Sequence, residues 1–542
     1  MTARRLAVAL IVLAAVVPYL PTLDDYFAQD DFGVVGLLAS KPAGYFPRWF
    51  TMPWTEDIWG YVPDEIRPFP AVTFQFAGLF GAASPVANHV INVLFHLANA
   101  LLVFAIARTA ARLPPGPAAF GALVFAVLPM QTESVAWVTG RVDSMPACFY
   151  MASFLLYVQW RSRRRAALYW WSAAWFFVAL FTKQNTVTLL PALVLADWML
   201  LGRRPRCSWE WLRPYVAFAL MTAGFLALRY ALFGEVARES TLTAERVRLF
   251  LIDLSTHVRR MVFGEPGLKL PEAVFAARMA VAGALVWAVH RVFGERGARG
   301  TWRTVAYFSA VWIGLAVAPT IVAGYASPRH MYLASAGYAI LLGVGLDVFW
   351  RGRPVPAVRR VGIGLACAVL LAYVVLLARD VRLWGVRTSV SRAAVLDLER
   401  EALATPPGSL IIAGAPRRSW DFALPHAIRP PFVAADVTAR VSVISHSSIH
   451  CCPAALWEPY TRHAIRAWLD NPDRPPVIAL HWDADSGRLA RLSDGDDPFL
   501  RSLVGMLLET RDIASLDRLI LDILDHYVAG RTAGAPEASP PR

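Results

Sequence analysis

The stretch 88–107, NHVINVLFHLANALLVFAIA, contains no Asp, Glu, Lys or Arg. About 20 apolar residues are enough for a helix to cross the roughly 30 Å hydrocarbon core of a membrane. Its polar side chains His89, Asn92, His96 and Asn99 recur every three or four residues and therefore share one helix face. The stretch predicts a membrane-spanning helix whose polar face either joins other helices or contacts a ligand.

Apolar runs of similar length recur on both sides of this stretch. We predict about eleven membrane-spanning helices, which makes the fold an all-α polytopic membrane protein. The first run follows Arg4 and Arg5, as in a signal peptide, but no small-residue cleavage site follows it, so we expect a retained anchor. The runs lie near residues 6–22, 88–107, 118–136, 144–160, 167–182, 186–201, 214–233, 273–290, 304–324, 331–350 and 361–379.

The composition agrees with a membrane protein. Of the 542 residues, 56% are hydrophobic and 17% are charged, against about 25% charged in soluble domains. The apolar content excludes intrinsic disorder, and five cysteines exclude a disulfide framework. The formal charge of +13 does not favour nucleic-acid binding, because the chain has few polar faces to carry it. We expect membrane lipids as partners and no nucleic acid.

The distribution of arginine predicts the orientation, because cytoplasmic loops are rich in basic residues. With a cytoplasmic N-terminus, every second loop is basic, and an odd number of spans leaves the C-terminal segment outside. The first outer loop, 23–87, is acidic by contrast. The basic residues of the predicted cytoplasmic loops are Arg108, Arg112, Arg161, Arg163, Arg164, Arg165, Arg203, Arg204, Arg206, Arg291, Arg296, Arg299, Arg303, Arg351, Arg353, Arg359 and Arg360.

The character of the sequence changes after residue 379. Residues 1–379 form the predicted membrane domain, and 380–532 form a predicted small extracytoplasmic α/β domain with strand-like runs at 409–413, 441–445 and 477–482. The tail 533–542 is rich in Pro, Ala and Gly, which predicts disorder. Cys451 and Cys452 lie on the oxidising side, where a vicinal disulfide, two free thiols and an intermolecular bond all remain open.

An acidic pair, Asp30 and Asp31, follows the first predicted span. One carboxylate near a hydroxyl is able to take its proton during attack on a sugar. Asp oxygens are also hard ligands for Mg²⁺ or Mn²⁺, so a divalent cation at Asp31 is a candidate. The alternative is an N-cap pair that opens the next helix.

Other polar residues recur at the predicted outer ends of the spans, where charge is costly unless it has a use. Two cations at the mouths of two spans, Lys183 and Arg329, are suited to a phosphate. The alternatives are mutual salt bridges among Glu133, Arg141 and Asp143, helix-end snorkelling, and a purely structural His89. The candidate substrate-binding residues are Arg67, His89, Glu133, Arg141, Lys183, Arg329 and His330.

Several motifs, taken in order, carry a family resemblance. Residues 29–32 (QDDF), 67–76 (RPFPAVTFQF), 125–145 (FAVLPMQTESVAWVTGRVDSM), 181–185 (FTKQN) and 327–343 (SPRHMYLASAGYAILLG) surround the stretch already quoted. Together they resemble the membrane part of TMTC-type O-mannosyltransferases and their bacterial relatives, of the GT-C class of glycosyltransferases. The resemblance covers about residues 20–345.

The resemblance implies transfer of a monosaccharide from a polyprenyl-phosphate donor to an acceptor on the outer face, with inversion. Asp30 is then the expected base and Asp31 its partner or metal ligand. The remaining candidates would bind donor phosphate or substrate. Arginine-heavy usage suggests a bacterial inner-membrane protein of the cell envelope. The acceptor is open among protein, glycan and lipid.

The sequence also departs from the family pattern. The family usually has His where Met130 or Gln131 stands, and Glu where Gln184 stands. The family's tetratricopeptide array has no counterpart in this sequence. Two other functions therefore stay open: a transporter or flippase of lipid-linked sugars, and a non-catalytic relative that acts as a binding scaffold.

Overall fold

The computed structural model describes residues 3–56, 58–59, 63–79, 84–236, 243–263, 298–323, 327–351, 356–414, 423–445, 463–493, 498–509 and 515. Within these residues the protein is mostly helical, as predicted. The α-helices are Ala3–Val16, Asp31–Ala39, Pro68–Leu79, Pro85–Thr109, Pro115–Val127, Thr132–Ala136, Arg141–Arg163, Ala166–Leu180, Leu189–Leu195, Trp209–Leu212, Val216–Phe233, Ala244–Phe263, Ala298–Ala323, Tyr332–Arg351, Pro356–Ala404 and Pro498–Glu509. Short 3-10 helices include Val17–Asp24, Ala43–Phe50, Gln184–Thr188 and Pro328–Met331.

Fewer helices than predicted are long and apolar enough to cross a membrane. The described residues contain five, and the pair Pro115–Val127 and Pro129–Ala136, bent by 48°, would make a sixth. Ala166–Leu180 is shorter, and the run predicted at 186–201 is broken into three short segments. An apolar run indicates that a segment is buried in lipid or in protein, but it does not show that the segment is one continuous helix. The number of membrane spans therefore stays a prediction. The run at 273–290 lies outside the described residues.

The polar face of Pro85–Thr109 joins helices. Asn92 donates to the carbonyl of Trp137 at 2.7 Å, and Asn99 donates to that of Ser144 at 2.8 Å. His96 bonds to the Tyr332 hydroxyl at 2.8 Å. Apolar side chains give helices little reason to associate within lipid, so such hydrogen bonds define which helices meet. This stripe therefore fixes the helices around the site described below.

A small sheet follows the last long helix. Strands β1 (Leu410–Gly414), β2 (Ser442–Ser445), β3 (Val477–Asp483) and β4 (Arg488–Arg491) have the order β2-β1-β3-β4. The first three match predicted strands, and β1 runs parallel to β2 and β3. The sequence did not predict β4, a short antiparallel strand that bears two arginines.

Pro356–Ala404 is one helix of 49 residues, and it passes through the predicted domain boundary at 380. Its second half packs against the sheet, where Arg488 pairs with Asp397. The division of the chain into 1–379 and 380–532 therefore stays a prediction. Cys451, Cys452 and the tail 533–542 lie outside the described residues.

The first predicted outer loop and the C-terminal segment share one hydrophobic core. Aromatic side chains of the loop pack with apolar residues of the long helix, of 423–441 and of one sheet face. The buried members include Phe27, Phe32, Trp49, Trp54, Trp59, Ala394, Leu398, Ile411, Leu424, Ile428, Phe432 and Val443. The other sheet face packs separately, around Ile412, Ile465 and Trp468.

Candidate functional site

The acidic pair lies in a tightly held turn. Gln29 has φ of 55°, a left-handed conformation that is costly for a side chain other than glycine, and the helix Asp31–Ala39 begins two residues later. Asp30 precedes this helix but makes no side-chain cap hydrogen bond. Asp30 therefore stands at the N-cap position without capping the helix, and it lines the cavity described below.

Asp31 is bound to the protein on both oxygens. Oδ2 accepts from the backbone N–H of Ala28 at 3.0 Å, and Oδ1 accepts from the N–H and hydroxyl of Thr139 at 2.8 and 2.6 Å. The bonds from Thr139 join the acidic turn to residues 137–140, which lie between the helices Thr132–Ala136 and Arg141–Arg163. Three hydrogen bonds leave Asp31 at most one free acceptor site, on Oδ2, and the residue is only 1% exposed, so it fits poorly as a metal ligand. No group of three metal-ligating acids, His or Cys occurs among the residues that the structure describes, so the divalent cation stays an untested prediction.

Gly140 explains how Thr139 reaches Asp31. A Cβ at this position would lie 2.2 Å from the carbonyl oxygen of Glu133. Any larger residue would therefore push the 137–140 turn away from helix Thr132–Ala136. Glycine is required for this close approach, which brings Thr139 against the acidic turn.

A cavity of about 550 Å³ unites much of the predicted site. Asp30, Arg67, Lys183, Arg329 and His330 all line it, although they come from four separate parts of the sequence. Further lining residues are Trp54, Trp59, Asp64, Glu65, Trp137, Thr139, Gln184, Asn185 and Arg229. The positions of these residues in the sequence could not predict that they line one cavity; the structure shows it.

Two of the lining cations share one buried acid. Lys183 Nζ lies 2.5 Å from Asp143 Oδ1, and Arg329 Nε lies 3.5 Å from Asp143 Oδ2. Arg329 also pairs with Glu133 at 2.6 Å. The predicted mutual pairing of Glu133, Arg141 and Asp143 is therefore not what the structure contains. Glu133 and Asp143 instead hold the two cations at the cavity wall.

Two more arginines line the cavity. Arg67 pairs with Glu65 at 2.8 Å, and its guanidinium lies 5.4 Å from the ring of Trp54. Arg229 pairs with Asp64 at 2.7 Å. The Nε of Arg67 and the Oδ1 of Asn185 are buried without a hydrogen-bond partner among the described residues. Unsatisfied buried polar atoms call for an explanation, and a polar ligand in the cavity would provide one.

Sequence reasoning missed Arg229. This side chain is only 2% exposed and lies within the apolar helix Val216–Phe233. A charged residue inside a predicted span is itself a signal of function, and the sequence contained that signal. Its partner Asp64, in the first outer loop, was not foreseeable from spacing.

Three predicted binding residues do not line the cavity. Arg141 is fully buried and donates to Asn92 Oδ1 at 2.9 Å and to Asn88 Oδ1 at 2.7 Å, above the ring of Phe74. His89 is fully buried in helix Pro85–Thr109. Glu133 pairs with Arg329 at 2.6 Å and does not line the cavity. Helix periodicity selected His89, and the cost of charge near lipid selected Glu133 and Arg141, but neither argument could assign the depth of these side chains.

Burial shifts both acids toward neutrality. It raises the pKa of Asp30 to about 6, while Arg329 opposes this rise and Glu65 adds to it. Burial raises the pKa of Asp31 to about 7, against the opposing hydrogen bonds from Thr139 and Ala28. A carboxylate with a pKa close to neutral is suited to general-base catalysis.

Part of the chain is similar to known proteins. It is 30% identical over 193 residues to the protein O-mannosyl-transferase Tmtc1 of Drosophila melanogaster, over 34% of this chain and 22% of that protein. The human protein O-mannosyl-transferase TMTC4 is 28% identical over 219 residues, or 35% of this chain and 29% of that protein. The chain is similar to GT-C membrane glycosyltransferases of the TMTC type. The resemblance predicted from its motifs is thereby confirmed.

The TMTC-type similarity is partial, because the chain spans about a quarter of the length of these relatives. No protein-family profile matches the chain. Among solved structures, ArnT from Cupriavidus metallidurans bound to undecaprenyl phosphate aligns with a TM-score of 0.49 and 16% identity, over 88% of this chain and 93% of that one. Arabinofuranosyltransferase AftD from Mycobacteria aligns with a TM-score of 0.39 and 17% identity, over 76% of this chain and 29% of that one.

Proposed function

We propose that the protein is a membrane glycosyltransferase that moves a monosaccharide from a polyprenyl-phosphate donor to an acceptor at the predicted outer face. The observation that carries this proposal is one cavity whose lining includes Asp30 together with Arg67, Lys183, Arg229 and Arg329. The partial similarity to O-mannosyl-transferases supports the same reaction class. Mannose is the first sugar to test for that reason.

The cations would hold the donor phosphate. As the bond between the sugar and the phosphate oxygen breaks, negative charge grows on the leaving phosphate. Preorganised cations in a secluded site stabilise such charge more strongly than water does. Lys183 and Arg329 suit this role, because Asp143 and Glu133 fix their positions in advance.

Asp30 would act as the base. Its carboxylate takes the proton of the acceptor hydroxyl while the hydroxyl oxygen attacks the anomeric carbon from the side opposite the phosphate. The new bond therefore forms with inversion, and the polyprenyl phosphate leaves. Asp31 would not take part in the chemistry, since its oxygens bind Ala28 and Thr139 and hold the turn.

The cavity also bears on the two alternatives. A non-catalytic scaffold has no need for a cavity that joins the acidic turn to Lys183 and Arg329, and the structure has one. A transporter needs charged groups along a path through the bundle. The cavity-lining charges instead come from the first loop and from helix ends, apart from Arg229 within Val216–Phe233.

A transfer assay with the purified protein in lipid vesicles tests the proposal. Undecaprenyl-phosphate mannose with a labelled sugar serves as the first donor, with envelope extract from a strain that lacks the protein as the acceptor. We expect labelled product with the wild type and a loss of ~10²–10⁴-fold with Asp30→Asn, the contribution usual for a general base. Asp24→Asn removes an exposed acid from the same loop and is the matched control.

Full transfer by Asp30→Asn would contradict the assignment of the base. If no undecaprenyl-phosphate sugar from a panel that includes mannose, glucose, galactose and aminoarabinose yields product with the wild type, the donor class is wrong.

A further inference from the structure

The C-terminal segment 423–433 packs directly on the turn that carries Asp30. The ring of Phe432 meets the rings of Phe27 and Phe32 edge to face, at centroid distances of 5.1 and 4.9 Å. The hydroxyl of Tyr26 donates to the carbonyl of Phe432 at 2.7 Å. These contacts enclose the residues on both sides of Asp30.

A second contact of the same segment reaches the cavity wall. The imidazole of His426 bonds through Nε2 to the carbonyl of Ile58 at 3.1 Å, and it lies 5.4 Å from the ring of Trp59. Trp59 lines the cavity. Its ring lies on Gly33, where a Cβ would approach to 2.1 Å. His426 therefore contacts Trp59, and Trp59 in turn packs on Gly33 in the first turn of the helix that follows Asp30.

The turn needs such support, because its backbone is strained. Gln29 adopts a left-handed conformation directly before Asp30, and conformations of this kind persist only when the surroundings enforce them. The long helix contributes one restraint, from the Ser391 hydroxyl to the carbonyl of Phe27 at 2.7 Å. Trp137 contributes another, from its indole N–H to the carbonyl of Ala28 at 3.2 Å. Phe432 adds a third restraint, because its ring packs on the rings of Phe27 and Phe32 on either side of Asp30.

We infer that the C-terminal segment is part of the active site: Phe432 positions Asp30, and His426 positions the Trp59 wall of the cavity. The inference rests on the proposed function, since it assigns both residues to that same site. Neither residue touches the reacting atoms, so both are positioning residues. The motifs of the membrane part gave no indication of this role.

The consequence is a specific kinetic defect. Removal of the Phe432 ring leaves a void beside Phe27 and Phe32 into which the strained turn is free to relax. A displacement of about 1 Å at a catalytic group lowers the rate of the chemical step ~100-fold. The cations that would bind the donor phosphate come from other segments, so donor binding is expected to persist.

Steady-state kinetics of three variants of the full-length protein in vesicles test this inference. We expect Phe432→Ala to lower kcat ~100-fold with a KM for the donor within about twofold of the wild type. Phe432→Leu retains apolar volume and should recover at least tenfold of that loss. Ile465→Ala is the matched control, because it opens a buried void on the other face of the sheet, and its kcat should equal that of the wild type.

Equal kcat values for Phe432→Ala, Ile465→Ala and the wild type would overturn the inference. An equal loss in both variants would do so too, since it would reflect general damage to the C-terminal segment. If Phe432→Ala does not fold, the comparison of Phe432→Leu with Ile465→Ala decides by the same criteria. Asp30→Asn, measured in parallel, separates the two proposals: full transfer by that variant defeats the proposed function, whereas its loss together with normal kcat in the Phe432 variants defeats only this inference.

Discussion

Two buried aspartates, Asp143 and Asp197, both pair with cations, yet their surroundings differ. Asp197 is fully buried and accepts hydrogen bonds from Tyr157 at 2.8 Å, Tyr215 at 2.6 Å and Arg161 at 2.9 Å. Both tyrosine rings lie within about 6 Å of the Arg161 guanidinium, which completes a closed cluster. Every group in it has a partner within the protein.

Asp143 lies beside an open cavity instead. Its cations Lys183 and Arg329 both line that cavity. Asp143 and Glu133 together balance the two positive charges, so what distinguishes this cluster from that of Asp197 is that its cations line a cavity. The comparison teaches that burial of an ion pair alone does not indicate function. The signal is a set of paired charges whose members line a cavity, instead of a cluster closed within the protein.

The largest effect is expected from a substitution that breaks the closed cluster around Asp197. Asp197→Ala leaves Arg161 buried without its partner, and loss of one member of a buried pair usually costs about 3–5 kcal/mol. We expect a lower melting temperature in detergent by circular dichroism. The kcat of the protein that remains folded should equal that of the wild type. An unchanged melting temperature would mean that this cluster does not stabilise the fold.

The next largest effect, a loss of kcat, is expected when a cation of the cavity wall is removed. Lys183→Ala takes away one group that would stabilise the leaving phosphate, and loss of one such group typically lowers kcat ~10²–10³-fold. The transfer assay measures this loss on the folded protein. A lower melting temperature is expected as well, because Asp143 then keeps only the 3.5 Å contact with Arg329. The matched control is Lys41→Ala, which breaks a half-buried ion pair with Glu56 within the first outer loop. Similar rates for the two variants would speak against a role for Lys183 in catalysis.

The pH dependence should be intermediate in size. A base must be deprotonated, so kcat/KM should be constant only above about pH 8 and should fall toward acid pH as Asp30, with a pKa of about 6, becomes protonated. Protonation of Asp31, with a pKa of about 7, belongs to the same acid limb, because the two groups are adjacent. Glu65→Gln removes a negative charge that raises the pKa of Asp30 and should move the limb to lower pH. A flat profile from pH 5 to 8 would exclude Asp30 as the base.

The smallest effect tests the support of the acidic turn. Thr139→Val removes one hydrogen bond to the Asp31 carboxylate and keeps the shape of the side chain, which should cost about 1.5–3 kcal/mol of stability. The backbone N–H of Thr139 still binds Asp31, so kcat should fall only a few fold. A loss as large as that of Lys183→Ala would mean that Thr139 takes part in the reaction.

The sequence predicted the residues of the site better than their arrangement. Charged groups at the ends of apolar runs are informative because they are costly near lipid, and Asp30, Lys183 and Arg329 were identified in this way. The same rule also selected Arg141, whose partners are amide and carbonyl oxygens of Pro85–Thr109 and the hydroxyl of Thr73. Periodicity does not distinguish such internal pairing from exposure to a cavity.

The fold shows a similar limit. Hydrophobic runs and strand patterns identified most elements, including three of the four strands. They could not reveal that the outer loop and the C-terminal segment share one core, since contacts such as Tyr26 to Phe432 join residues about 400 positions apart. The long helix Pro356–Ala404 also continued past the change in composition that suggested a boundary.

The most direct test of the central claim is a structure of the Asp30→Asn variant with an undecaprenyl-phosphate sugar bound in a lipid nanodisc. The proposed function predicts that the donor phosphate lies in the cavity, about 3 Å from Lys183 Nζ and the Arg329 guanidinium, with the anomeric carbon directed toward residue 30. A donor phosphate bound away from these two cations would contradict it.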